Sequence, residues 1–252
     1  MADADRARAW HHATHAAVCD VVEPWEHGTV VRSTSHPSYH AFNLVRVEDD
    51  PGMTARELVA VADGALCELA HRRLDFEATA AAEPLRADFE ALGWRTMRTL
   101  WMRHAAPPPT APPIAVDQVP YDDVHDLRVA WIREERHDAD LLTTYLAEAR
   151  EVAMSRDVRV LAVHERDRPI AFAQLERAGD SAEITQVFVH PDYRGAGRGT
   201  AMTRAAIEAA GDVRDLWIAA DDEDRPKELY ARLGFRPAWT ALELTRLPQR
   251  IA

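Results

Sequence analysis

The chain has 252 residues, 47% of them hydrophobic, and a formal net charge of −12, which allows one large core or two modest ones. Acidic residues exceed basic ones in both halves, which argues against nonspecific binding to nucleic acid or to an anionic membrane and favours cationic partners, amines among them. No run approaches the roughly eighteen uninterrupted apolar residues of a membrane span, and residues 1–8 lack a signal-like apolar core, so a cytoplasmic location is expected.

In chain order, residues 5–22 read as an alanine-rich helix carrying Trp10, Thr14, Ala17, Val18 and Val21, ended by Pro24. Residues 29–33 and 39–47 read as strands, the second alternating through His40, Phe42, Leu44 and Arg46. The acidic loop Glu48-Asp49-Asp50-Pro51-Gly52 leads to a helix with Thr54 as N-cap and Glu57 at its third position, a capping box that predicts a helix to about His71. A strand over 74–79, a short helix over 83–91 and a strand over 94–103 close the first half. Cys19 and Cys67 lie in separate helical patterns without the paired spacing of a zinc site, and read as two buried thiols with no metal role.

Residues 106–113 hold five prolines in eight positions and predict an extended, semi-rigid spacer between domains. The second half reads as strand 114–119, helices 121–133 and 139–154, then strands 158–165, 170–176 and 183–189. Helix 198–210, strand 213–220, helix 225–233 and strand 236–244 follow.

The chemistry concentrates where strand 183–189 meets helix 198–210, in the run Val187-Phe188-Val189-His190-Pro191-Asp192-Tyr193-Arg194-Gly195-Ala196-Gly197-Arg198-Gly199-Thr200. Alternating apolar residues end at a proline, and an arginine with three glycines opens a segment of helical spacing, so the pattern is strand, tight loop, helix N-terminus. The first amides of a helix have no partner within it, and the macrodipole adds partial positive charge there. Glycines at 195, 197 and 199 let the backbone approach a diphosphate, with Arg194 and Arg198 supplying charge. The alternate glycines do not fit the dinucleotide fingerprint, and the Gly-Lys-Ser/Thr ending of the triphosphate loop is absent.

Arg194-x-x-Gly197-x-Gly199, with its Val-x-Val-His-Pro-Asp-Tyr lead-in, resembles the acetyl-coenzyme A signature of the GNAT N-acetyltransferase superfamily. About thirty residues on, Leu229-Tyr230-Ala231-Arg232-Leu233-Gly234-Phe235 looks like that family's second motif, whose tyrosine lies near the coenzyme sulfur. The resemblance covers about residues 114–248. It implies an α/β (α+β) fold of two GNAT-like domains, each a mixed, mostly antiparallel sheet flanked by helices, with splayed central strands in the C-terminal one. The expected division is 1–105, a linker at 106–113, and a catalytic domain at 114–252.

An internal repeat supports two domains: Asp88-Phe89-Glu90-Ala91-Leu92-Gly93-Trp94-Arg95 lies over residues 229–236. Phe89 replaces the tyrosine, and Glu48, Asp49 and Asp50 stand where a diphosphate would need cations. The first half thus reads as a degenerate copy that does not bind coenzyme A in the usual manner, in a layout resembling tandem GNAT proteins such as mycothiol synthase.

By resemblance, a neutral amine of a small molecule or peptide attacks the thioester of acetyl-CoA directly in a ternary complex. The backbone of Val187, Phe188 and Val189 would hold the pantetheine. Arg194, Gly195, Ala196, Gly197, Arg198, Gly199 and Thr200 would hold the diphosphate, and the Val189 amide the oxyanion. Tyr230 is the candidate general acid, and the base is open among Glu183, Asp221, Asp222 and relayed water, with His190 read as structural. Trp131, Glu134, Glu135, His137 and Asp138 mark a candidate acceptor pocket. No metal is expected, and a monomer or homodimer is. The alternative is a noncatalytic acyl-CoA-binding or sensing protein.

Overall fold

A computed structural model describes residues 1–107, 114–135 and 142–247. Contacts divide the chain into two units: residues 1–101 with 221–224 and the described residues from Ala238 on, and residues 102–220 with 225–237. This differs from the division into 1–105 and 114–252 expected from composition, because the chain's last strand groups with its first part. Residues 108–113 of the proline-rich segment lie outside the described residues.

The first unit begins with helix α1 (Asp3–Ala16), strands β1 (Val21–Trp25), β2 (Gly28–Arg32) and β3 (Leu44–Val47), and helix α2 (Ala55–Ala65). Strand β4 (Arg72–Phe76), short helices α3 (Thr79–Ala82) and α4 (Arg86–Ala91), and strand β5 (Arg95–His104) as far as Trp101 follow. Strands β1, β2 and β3 pair antiparallel, β3 pairs β4 in parallel, and β4 pairs antiparallel with residues 242–246 of the C-terminal strand. The core lies under α2, where Leu58, Ala62 and Leu66 meet Val45, Val47, Leu74, Phe76, Phe89, Leu242 and Leu244.

Three local expectations are corrected. Val21 and Val22 leave the helix and enter β1, where Pro24 is tolerated because β1 has a neighbour on one side only. His40–Phe42 form a 3-10 turn, so the strand begins at Leu44 and all four of its residues are buried. Cys67 is exposed just beyond the end of α2; Cys19 is buried, with its thiol pushed up to about 12 by burial.

The second unit contains β6 (Asp117–Val119), α5 (His125–Glu135), α6 (Leu142–Met154), β7 (Asp157–Glu165), β8 (Arg168–Ala178) and β9 (Ser181–Val189). Helix α7 (Arg198–Ala210), strand β10 (Asp215–Asp221) to Ala220, helix α8 (Pro226–Arg232) and the start of β11 (Phe235–Arg246) complete it. The order β10-β9-β8-β7-β6 is antiparallel except for the parallel β9–β10 pair. Val124, Leu127, Val160, Ala162, Phe172 and Phe188 form an apolar cluster beneath α5. Among the described residues, no helix is long and apolar enough to cross a membrane, and no group of three or more His, Cys, Asp or Glu could hold a metal ion.

Both units end their short helix alike, as the sequence repeat requires. Leu92 closes α4 and Leu233 closes α8, each followed by a left-handed glycine, Gly93 at φ 81° and Gly234 at φ 97°. At Gly234 no side chain fits: a Cβ would stand 2.0 Å from the Ala106 carbonyl oxygen.

Candidate functional site

The site is built where β9 leaves β10. The parallel pairing runs from Ser181↔Asp215 to Ile184↔Ile218, while β9 itself continues to Val189. On its other edge β9 stays with β8, but with an irregularity: Thr185 faces Gln174 and Phe188 faces Phe172. Gln186 and Val187 therefore stand opposite Ala173 alone, which is a β-bulge, and bulges bend and twist the strand that carries them. Gln186 takes φ 52°, a left-handed conformation that costs a residue other than glycine about 1–2 kcal/mol. The bulge separates the part of β9 bound to β10 from the part, Val187–Val189, whose far edge has no paired strand among the described residues. Phe188 is buried against Phe172, with ring centroids 6.1 Å apart, and anchors this stretch from below.

The chain then turns sharply. The His190 amide donates to the Ile170 carbonyl at 3.0 Å, and Pro191–Tyr193 form a 3-10 turn closed by the Tyr193 amide on the His190 carbonyl at 2.8 Å. The His190 Nδ1 accepts from the Asp192 amide at 3.4 Å, a loop-shaping contact. Gly195 and Gly197 follow at φ 82° and 79°, and Gly197 is the N-cap of α7. That cap has no side-chain acceptor for the first amides of a thirteen-residue helix, which have no partner within the helix itself. Gly199 is helical, and a Cβ there would meet the Leu229 side chain at 3.6 Å and Val189 at 3.9 Å. Leu229 thus brings α8 against both the start of α7 and the end of β9.

Tyr230, the next residue, is buried at 6% exposure, its ring 6.3 Å from that of Phe235. The two arginines of the loop are engaged: one terminal nitrogen of Arg194 donates to both Glu134 carboxylate oxygens at 2.7 and 2.8 Å and its Nε donates to the Val189 carbonyl at 3.0 Å, while Arg198 donates to the Tyr193 carbonyl at 2.9 Å. Glu134, expected beside an acceptor amine, is therefore occupied by Arg194. Trp131 packs on the cluster under α5. His137, Asp138 and the side chain of Glu135 lie outside the described residues.

The three carboxylates expected as candidate bases fall in different units. Glu183 sits in the closed part of the sheet, opposite Trp217 on β10 and Glu176 on β8. Asp221 and Asp222 belong to the turn that groups with the first unit. There Asp221 accepts from the Glu223 amide at 2.8 Å, and Asp222 donates its amide to the Arg98 carbonyl at 2.7 Å and lies 3.6 Å from the Arg98 guanidinium.

One set of side chains escaped the sequence reading. Arg128 is 2% exposed on α5, donating to Gln186 and, at 3.0 Å, to Gln174. The signal was present: Arg128 follows Val124 by one helical turn and so occupies a core-facing position, where an unpaired charge is disfavoured.

Residues 156–237 match the family described as Acetyltransferase (GNAT) domain. An uncharacterized N-acetyltransferase of Methanocaldococcus jannaschii is 38% identical over 74 residues, 28% of this chain and 32% of that protein. The match thus spans about a third of the curated relative's length. Among solved structures, a functionally unknown conserved protein from Staphylococcus epidermidis superposes with a TM-score of 0.70 at 13% identity, over 92% of this chain and 95% of that one. A GCN5-related N-acetyltransferase from Kribbella flavida gives 0.62 at 15% identity, over 99% and 97%. A tandem GNAT protein from the clavulanic acid biosynthesis pathway, without AcCoA, gives 0.51 at 15%, over 91% and 82%. Similarity at such identities speaks for the fold. Together with the family match, it identifies the segment carrying the bulge, the parted strands and the open helix start as an acetyltransferase domain of the GNAT family.

Proposed function

We propose that the protein transfers an acetyl group from acetyl-CoA to a primary amine of a small molecule or peptide. The observation that carries this reading is the run of β9 beyond its last pair with β10, ending directly at a helix start that has no side-chain cap. A strand edge without a partner suits the amide groups of a pantetheine arm. Helix-start amides behind two left-handed glycines suit a diphosphate, whose oxygens would take the place a capping carboxylate fills elsewhere. Use of acetyl-CoA by the GNAT family agrees with both.

In this reading Val187, Phe188 and Val189 hold the arm through their backbone, and Arg194 to Thr200 hold the diphosphate, which competes with Glu134 for Arg194. The amine nitrogen attacks the thioester carbonyl carbon, the carbon–sulfur bond breaks, and the leaving thiolate takes a proton from Tyr230. The Val189 amide faces the oxyanion. The proton lost by the amine goes to Glu183, to Asp221 or Asp222, or to relayed water. The first unit, with Phe89 in place of the tyrosine, is assigned no turnover.

Incubating the protein with acetyl-CoA and a panel of amines while following free thiol tests the proposal. Amine-dependent thiol release is expected. Tight coenzyme binding without release for any amine would replace the enzyme by a noncatalytic acyl-CoA sensor, and no binding would remove both.

A further inference from the structure

The bulge that turns Val187–Val189 away from β10 is held from above by a buried charge. The Arg128 guanidinium lies between two rings, 3.9 Å from the centroid of Tyr121 and 4.9 Å from that of Phe172. One arm of its fork donates to the Gln186 side-chain oxygen, the other to the Gln174 side-chain oxygen at 3.0 Å. Gln174 in turn donates to Glu176 at 2.8 Å, and Glu176 pairs with Arg156 at 2.6 Å.

These two acceptors are not arbitrary positions on the sheet. Gln186 is the left-handed residue of the bulge, and Gln174 is the β8 residue at which regular pairing resumes, opposite Thr185. Glycine adopts such a φ freely, but glutamine does not. A desolvated guanidinium requires acceptors, and by taking the Gln186 oxygen it fixes that side chain and the backbone behind it.

We propose that Arg128 is a positioning residue: it pins Gln186 in the bulge and thereby sets the direction of the Val187, Phe188 and Val189 backbone groups that receive the coenzyme arm. The proposal rests on the reading of that edge as the coenzyme site. It predicts that Arg128 becomes dispensable for binding once residue 186 can hold a left-handed φ unaided.

The test is a double-mutant cycle of Arg128→Met and Gln186→Gly, read by calorimetric affinity for coenzyme A and by hydrogen exchange at the amides of 187–189 in ligand-free protein. Arg128→Met alone should weaken coenzyme binding about tenfold and speed exchange by a similar factor, whereas in the Gln186→Gly background it should cost at most about twofold. Lowered melting temperature is expected for Arg128→Met in both backgrounds, since the packing between Tyr121 and Phe172 is lost either way. An equal loss of affinity and protection in both backgrounds, or none in either, would overturn the pin. Absence of coenzyme binding by the unmodified protein would instead refute the site, with the exchange data still deciding the role of Arg128. If Arg128→Met does not fold, Arg128→Lys, whose ammonium cannot fork onto both amides, takes its place in the same cycle.

Discussion

The β3–α2 joint of the first unit and the β9–α7 joint of the second share a plan, a parallel strand pair bridged by a helix, and differ in how the helix start is satisfied. At α2 the Thr54 hydroxyl accepts from the Glu57 amide at 3.4 Å, and the Glu57 carboxylate accepts from the Thr54 amide at 2.8 Å. The preceding carboxylates are engaged as well: Glu48 takes the Thr29 hydroxyl at 2.7 Å, Asp49 meets His27 at 2.9 Å, and Asp50 takes the Gly52 amide at 3.0 Å. At α7 the cap is a bare left-handed glycine between two arginines. One joint therefore carries its own carboxylate at the helix start, and the other has none from its cap residue, which is what the proposed diphosphate site requires. The lesson is that topology supplies the helix end, while a handful of loop residues decide whether the protein caps it itself.

Tyr230→Phe makes the second unit match Phe89 of the first and should have the largest effect. Turnover should fall about a hundredfold or more with coenzyme affinity unchanged; unaltered turnover would remove the acid role. Gly197→Glu imitates the self-capped joint by supplying a carboxylate and a Cβ. Coenzyme affinity should drop about a hundredfold, and stability about 1–2 kcal/mol from the left-handed φ, with calorimetry and thermal melting as the two readouts.

The first unit should also respond to acid. Arg46 donates to His15 Nδ1 at 2.7 Å, and burial, with His11 and Arg46 nearby, holds the imidazole well below its ordinary value. The unfolded chain then binds the extra proton, so the stability His15 contributes is complete above about pH 6.5 and is lost as pH falls, by up to about 1.4 kcal/mol per pH unit. Glu243, raised by burial, slopes the other way. Comparing the protein with His15→Gln between pH 7 and 5 isolates the histidine: the variant should show the flatter loss of melting temperature. Thr54→Ala should have the smallest effect, about 1 kcal/mol of stability with coenzyme binding intact. Weakened binding would contradict the contrast between the two joints.

Features encoded within a few residues are legible in the sequence alone. The run 187–200, the capping box at Thr54 and Glu57, and the paired closures at Leu92-Gly93 and Leu233-Gly234 are all local signals, and each appears as a loop, a cap or a helix end. What was missed depends on partners far along the chain. Val21 and Val22 continue a helical spacing, but pairing with Val31 and Arg32 makes them strand. Arg128 and Gln186 are separated by fifty-eight positions, and nothing in either neighbourhood announces the other. The spacing of charges at Glu134 suggested an open carboxylate because its partner, Arg194, lies sixty positions away.

Strand β4 finds its antiparallel neighbour in residues 242–246, with consequences for biogenesis. At roughly 5–20 residues per second of translation, the edge of β4 waits on the order of ten to thirty seconds before its mate emerges from the ribosome. The amino-terminal portion is thus obliged to mature late, and a gene cut between the two portions should yield an early fragment with a sticky, incomplete sheet.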